Sequence, residues 1–206
     1  MLQAPNLARF EWLTHGFGLR DSQYPAKITT VRQVHSNVVV DARSVDASTQ
    51  ADALISDLPG TIIGVRTADC VPILIADERL RAVAAVHAGW RGTAQLIAVA
   101  AVRELITHFG ARLADLHAAI GPAIGLCCYE VGSEVARQFG YDDSGPTHLD
   151  LAGINEQQLR VAGVRDVWRA DECTFCGAER FYSYRREKEQ AGRMRSFIGS
   201  IQTAIA

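Results

Sequence analysis

Apolar positions along the chain fall into short runs separated by glycine-rich or polar turns, a pattern of many strands and a few helices. Residues 61–65 and 71–76 read as buried strands, and 81–87 as another β-like run. Residues 10–18 predict a short strand and turn, and 51–56 an apolar segment closed by the turn Asp57-Leu58-Pro59-Gly60. Val31, Val34 and Val38-Val39-Val40 give residues 27–41 β character, which places His35 within or beside a strand. Residues 93–109 have the length and Ala/Leu content of one helix stopped by Gly110; 133–139 predict a short helix, and 150–162 a longer one stopped by Gly163. Strands are expected at 116–120, 164–168 and 181–184, with a charged loop over 185–193. Mixed strands with interspersed helices indicate a layered α/β or α+β arrangement. Without repeats or a long linker, one domain over residues 1–206 is expected.

Composition narrows the function. A chain of 206 residues that is 48% hydrophobic can build its core without a metal or disulfide, so any metal is expected to serve chemistry. A net charge of −2 and a pI near 6.3 argue against general nucleic-acid binding. No secretory signal or bilayer-length apolar run is visible, so a soluble cytoplasmic protein with no membrane partner is expected. Five irregularly spaced cysteines point to reduced thiols rather than a disulfide framework.

The chemistry concentrates where two apolar runs give way to polar loops. Thr67-Ala68-Asp69-Cys70 and His87-Ala88-Gly89-Trp90-Arg91-Gly92 offer a thiol and an imidazole, and Gln33-Val34-His35 offers a second imidazole. One sulfur and two nitrogens suit zinc with a coordination position left open. The same set suits copper, although six histidines and two methionines, with no His-x-His pair, are few for a multicopper assembly. Cys70 as a nucleophile activated by His87 satisfies the same residue types. Asp69 is placed to orient a ligand, carry a proton or cap its loop. Arg91, in a loop leading into a helix N-terminus, is a candidate anion contact.

The remaining thiols give weaker signals. Vicinal Cys127-Cys128 is poorly shaped for an ordinary disulfide and reads as packing or pocket wall. Cys173-Thr174-Phe175-Cys176 has Cys-x-x-Cys spacing, but no second such pair accompanies it, so a closed structural zinc site is not expected. Arg185 and Arg186 lie in a charged run of the kind that usually forms solvated surface.

With Ala51-Asp52-Ala53, Gly121-Pro122-Ala123-Ile124-Gly125-Leu126-Cys127-Cys128-Tyr129-Glu130 and Ser183-Tyr184-Arg185-Arg186 added to these segments, almost the whole chain resembles the YfiH-like family. Its members carry the names laccase-domain protein, polyphenol oxidase, peptidoglycan-editing factor and purine nucleoside phosphorylase. The resemblance implies an α+β layered sandwich of mixed sheets with flanking helices, and zinc on His35, Cys70 and His87. It also implies phosphorolysis of adenosine, inosine, guanosine and methylthioadenosine to base and sugar 1-phosphate, with adenosine deamination besides. In that reading purine nucleosides and phosphate are the partners, Arg91 and Arg185 contact substrate, and Cys70 and Asp69 serve catalysis. Copper-dependent polyphenol oxidation and cysteine-based hydrolysis in cell-wall editing are the alternatives that the family names carry.

Overall fold

A computed structural model of the chain describes residues 1–142 and 145–201; residues 143, 144 and 202–206 of the expected domain lie outside it. In chain order the elements are α1 (Pro5–Ala8), β1 (Leu13–Phe17), β2 (Val39–Asp41), β3 (Ala53–Ser56), β4 (Ile62–Thr67), β5 (Val71–Asp77) and β6 (Val83–Ala88). They continue as α2 (Trp90–Ala94), α3 (Ile97–Phe109), β7 (Leu116–Ile120), β8 (Glu130–Val131), α4 (Ser133–Ala136) and β9 (Thr147–His148). The last described elements are α5 (Leu151–Val161), β10 (Asp166–Arg169), α6 (Tyr184–Glu187) and β11 (Met194–Ser200). A six-stranded mixed sheet runs β10-β7-β5-β6-β3-β2, beside a three-stranded antiparallel sheet β1-β11-β4 and the β8-β9 ribbon. The fold is α+β.

Three layers follow from which residues each face buries. Ile73 and Ile75 of β5, with Ala84 and Val86 of β6, pack on Ile97, Ala101 and Leu105 of α3. Leu74, Ala76, Val83 and Ala85 point the other way, onto Ile63 and Val65 of β4 and Ile198 of β11. Strands covered on both faces need apolar residues at every position, which is why β5 and β6 read as continuous apolar runs. Each fully buried Leu or Ile contributes about 1.5–3 kcal/mol, so these central strands are the firm base for the loops at their ends.

Several expectations need correction. The predicted helix over 93–109 is two helices, because Leu96 adopts a left-handed φ of 62° between α2 and α3. Residues 27–38 form no strand beyond isolated bridges at Thr29 and Arg32; the Val34, His35 and Ser36 amides turn onto the Asp52 carboxylate instead of a neighbouring strand. Residues 181–184 are not a strand: Ser183 caps α6, accepting from the Arg186 N–H at 3.3 Å. β11, for which no strand was expected, is the middle strand of its sheet. No described helix is long and apolar enough to cross a membrane.

Candidate metal centre

The connection from β4 to β5 crosses from the three-stranded to the six-stranded sheet, and Cys70 sits at its end. Pairing of Pro72 with His87 brings the start of β5 against the end of β6, so thiol and imidazole become neighbours. His35 reaches them from the loop before β2, with a left-handed φ of 62°. The ligand atoms of His35, Cys70 and His87 all lie within 4.8 Å of one another. The two rings meet edge to face with centroids 4.9 Å apart. Gly89 is required by this crowding: a Cβ there would stand 2.9 Å from His35 Cδ2 and 3.2 Å from Cys70 Sγ.

Asp52, fully buried at the start of β3, organises the cluster. Its Oδ1 accepts the His35 backbone N–H at 3.0 Å and lies 2.8 Å from His87 Nδ1. Its Oδ2 accepts from the Val34 and Ser36 N–H groups at 3.2 and 2.6 Å and from Ser36 Oγ at 2.8 Å. One carboxylate thus shapes the His35 loop and fixes the His87 ring. Burial pushes the Asp52 carboxyl up, but the His87 and Ser36 hydrogen bonds outweigh it and hold the group at about 2. Burial also opposes charge on Cys70 and His87, yet their mutual attraction wins. The thiol is held at about 6, with His35 assisting, and the imidazole at about 9, with Asp52 assisting.

Asp69 does not orient a histidine. It takes a left-handed φ of 89°, and its Oδ1 accepts Thr174 Oγ1 at 2.7 Å. Its Oδ2 accepts Ser183 Oγ at 3.1 Å and the Arg185 N–H at 2.6 Å. The carboxylate therefore fastens the C-terminal loop beside Cys70, and the ligand-orienting role expected of Asp69 falls to Asp52, which holds His87 Nδ1.

The three donors open into a cavity of about 730 Å³ whose wall includes Arg66, Tyr129, Tyr184, Arg185 and Arg193. Arg185 donates to the Glu130 carbonyl at 2.8 Å and lies over the Tyr129 ring, 5.6 Å from its centroid. Arg91 is not part of that wall. Its guanidinium stacks on the Trp90 ring at 4.3 Å, and Arg91 lies inside α2, a helix of only five residues, not in a loop before it. No role was expected for Asp52, Thr174 or Ser183, although Asp52 and Ser183 lie in segments that carry the family resemblance and Asp52 is a lone carboxylate inside the apolar stretch 51–55.

The family described as multi-copper polyphenol oxidoreductase laccase matches residues 14–201. The crystal structure of the hypothetical protein YfiH from Bacillus licheniformis superposes with a TM-score of 0.83 at 28% identity, covering 97% of this chain and 98% of that one. The chain belongs to the YfiH-like family. A Deinococcus radiodurans relative named purine nucleoside phosphorylase is 41% identical over 82% of this chain and 68% of its own length. A relative named adenosine deaminase RL5, from an unknown prokaryotic organism, is 38% identical over 79% of this chain and 71% of its own.

Proposed function

We propose that this YfiH-like chain is a zinc-dependent purine nucleoside phosphorylase with adenosine deaminase activity in addition. The observation that carries the reading is an open His-Cys-His donor set at the base of a cavity walled by arginines and tyrosines. The donors fit zinc: a thiol disposed to ionise, and a histidine whose other nitrogen is held by a buried carboxylate, as ligating histidines commonly are. When bound, the ion supplies Lewis acidity toward a substrate oxygen or a water.

The chain's own residues account for substrate recognition. Phosphate attack at the anomeric carbon needs a nucleophile held in line and a site that tolerates its charge. Arg185, Arg66 and Arg193 on the cavity wall supply that charge, replacing Arg91 as the phosphate contacts. Tyr129 and Tyr184 offer ring faces to a purine. Asp69 acts as a positioning residue, because its carboxylate fixes the backbone that presents Arg185. Adenosine, inosine, guanosine and methylthioadenosine share the purine ring and the ribofuranose that such a site would read.

A cysteine hydrolase is the second reading, favoured by one observation: the Cys70 thiol and the His87 imidazole are neighbours, and in metal-free protein each favours the charged form of the other. The deciding experiment incubates zinc-quantified protein with inosine or adenosine, with and without phosphate, and separates the products by chromatography. Phosphate-dependent release of hypoxanthine supports phosphorolysis, and inosine formed from adenosine without phosphate supports deamination. No nucleoside turnover by the zinc-replete protein would overturn the proposal.

A further inference from the structure

Four of the five cysteines converge at a place the catalytic reading leaves unused. Cys127 and Cys128 come from the loop between β7 and β8, and Cys173 and Cys176 from the loop after β10. Their four sulfurs all lie within 4.8 Å of one another. No second Cys-x-x-Cys accompanies Cys173 and Cys176, but the fold sets the vicinal Cys127 and Cys128 beside them.

We propose that Cys127, Cys128, Cys173 and Cys176 form a second metal site, a closed tetrahedral four-thiolate site for zinc. Cys176 Sγ lies 3.4 Å from Cys128 Sγ and 3.7 Å from Cys127 Sγ. Zinc–sulfur bonds of about 2.3 Å make the sulfur–sulfur edge of a tetrahedron about 3.8 Å, close to both separations. A disulfide needs about 2.05 Å and joins only two sulfurs, so convergence of all four about one point suits an ion better.

The backbone is arranged for thiolate. Gly125 donates its N–H to Cys173 Sγ at 3.2 Å. Gly125 is needed there, since a Cβ would meet Cys173 Cβ at 3.2 Å and Cys127 Sγ at 3.4 Å. Arg186 adds positive charge within the Cys-x-x-Cys turn by donating to the Thr174 and Phe175 carbonyls. Four donors fill zinc's coordination, so the site's role is structural.

Its position gives that role content. The first loop carries Ile124 and Tyr129 to the cavity, and the second carries Thr174 and leads to Ser183 and Arg185, the groups on Asp69. Ala123 and Cys173 already form a parallel bridge, with the Thr174 N–H donating to the Ala123 carbonyl at 2.9 Å. A metal on the four thiolates would lock two walls of the cavity together.

The test counts metal rather than turnover and is independent of the reaction proposed above. Protein expressed with added zinc and purified under reducing conditions should carry two zinc ions per chain by mass spectrometry of the metal content, one for each donor group. Cys70→Ala should keep one, and Cys173→Ser should keep the other. Cobalt added to metal-free Cys70→Ala protein should give the intense thiolate charge-transfer and tetrahedral d–d bands of a four-sulfur site. Cys127→Ser is a milder second variant on an exposed position, and it should weaken those bands. A Cys70→Ala protein that folds but holds no zinc and develops no such spectrum would overturn the site. So would an intact mass showing these cysteines paired as disulfides under the same reducing conditions.

Discussion

Replacing Asp52 with Asn keeps the shape of the side chain and leaves one acceptor oxygen where two now organise the His-Cys-His donors. The carboxylate faces five donors: three backbone N–H groups, Ser36 Oγ and His87 Nδ1. An amide offers one oxygen. If that oxygen takes the Val34 and Ser36 donors, its NH2 faces the His35 N–H and His87 Nδ1. The imidazole can then only accept through Nδ1, which moves its proton to Nε2, the nitrogen on the side of Cys70. Loss of such a carboxylate typically costs about 10–100-fold in metal affinity, or about 1.4–2.8 kcal/mol. The His35 N–H left facing a donor adds about 1–3 kcal/mol of instability, a fall in melting temperature of roughly 2–12 °C for a chain of this size. Competition titration of zinc against a chromophoric chelator gives the affinity, and melting of metal-free protein gives the stability. Wild-type zinc affinity in Asp52→Asn would refute the assignment of Asp52 as the orienting partner.

Other outcomes follow from the same geometry. Asp52 is held at about 2 against an ordinary 3.8, so in metal-free protein its contribution is fully present above the unfolded value and lost as pH falls through about 2. That shift corresponds to about 2 kcal/mol; the urea-measured stability gap between wild type and Asp52→Asn should shrink on acidification from about pH 5 to about pH 2, and a constant gap would contradict it. In the phosphorolysis assay Arg185→Ala should raise the KM for phosphate at least about tenfold, the scale of a lost charged hydrogen bond, whereas Arg91→Ala should change it far less. The reverse order would restore Arg91 as the phosphate contact. Leu96→Gly should raise the melting temperature by about 1–4 °C, because a left-handed Leu costs about 1–2 kcal/mol and glycine's extra unfolded-state freedom about 0.5–1 kcal/mol; a lower melting point would show that the Leu96 side chain, 48% exposed, contributes more than its strain.

What could be read from the sequence was what repeats locally. β5, β6 and α5 announce themselves because burial on both faces, or a capped amphipathic stretch, leaves a pattern in neighbouring residues. Asp150 caps α5 by accepting the Gly153 N–H at 2.8 Å, and Gly163 follows it with φ 101°, both ordinary boundary signals. β11 escaped because a middle strand need not be uniformly apolar: Arg195 is exposed, while Ser196, Gly199 and Ser200 are covered. The break at Leu96 escaped because Thr93 to Phe109 keeps good helix-forming composition through a residue that does not follow it.

The two clusters show the same limit in the chemistry. His35, Cys70 and His87 were legible as donor types, but the residue that arranges them, Asp52, finds its partners 16 to 35 positions away and so leaves no spacing motif. The four thiols failed the Cys-x-x-Cys template because one of their pairs is vicinal, although nothing in tetrahedral coordination requires the two loops to use equal spacing. Asp69 joins the two clusters. It is bonded in sequence to Cys70, its carbonyl accepts the Ile124 N–H at 2.9 Å, and its carboxylate holds Thr174, the residue after Cys173. A non-glycine residue at φ 89° persists only where its surroundings over-determine it, and here they do so from both loops that carry the thiols. The left-handed turn at Asp69 is thus the point at which the geometry of the His-Cys-His donors and that of the four-cysteine cluster constrain each other.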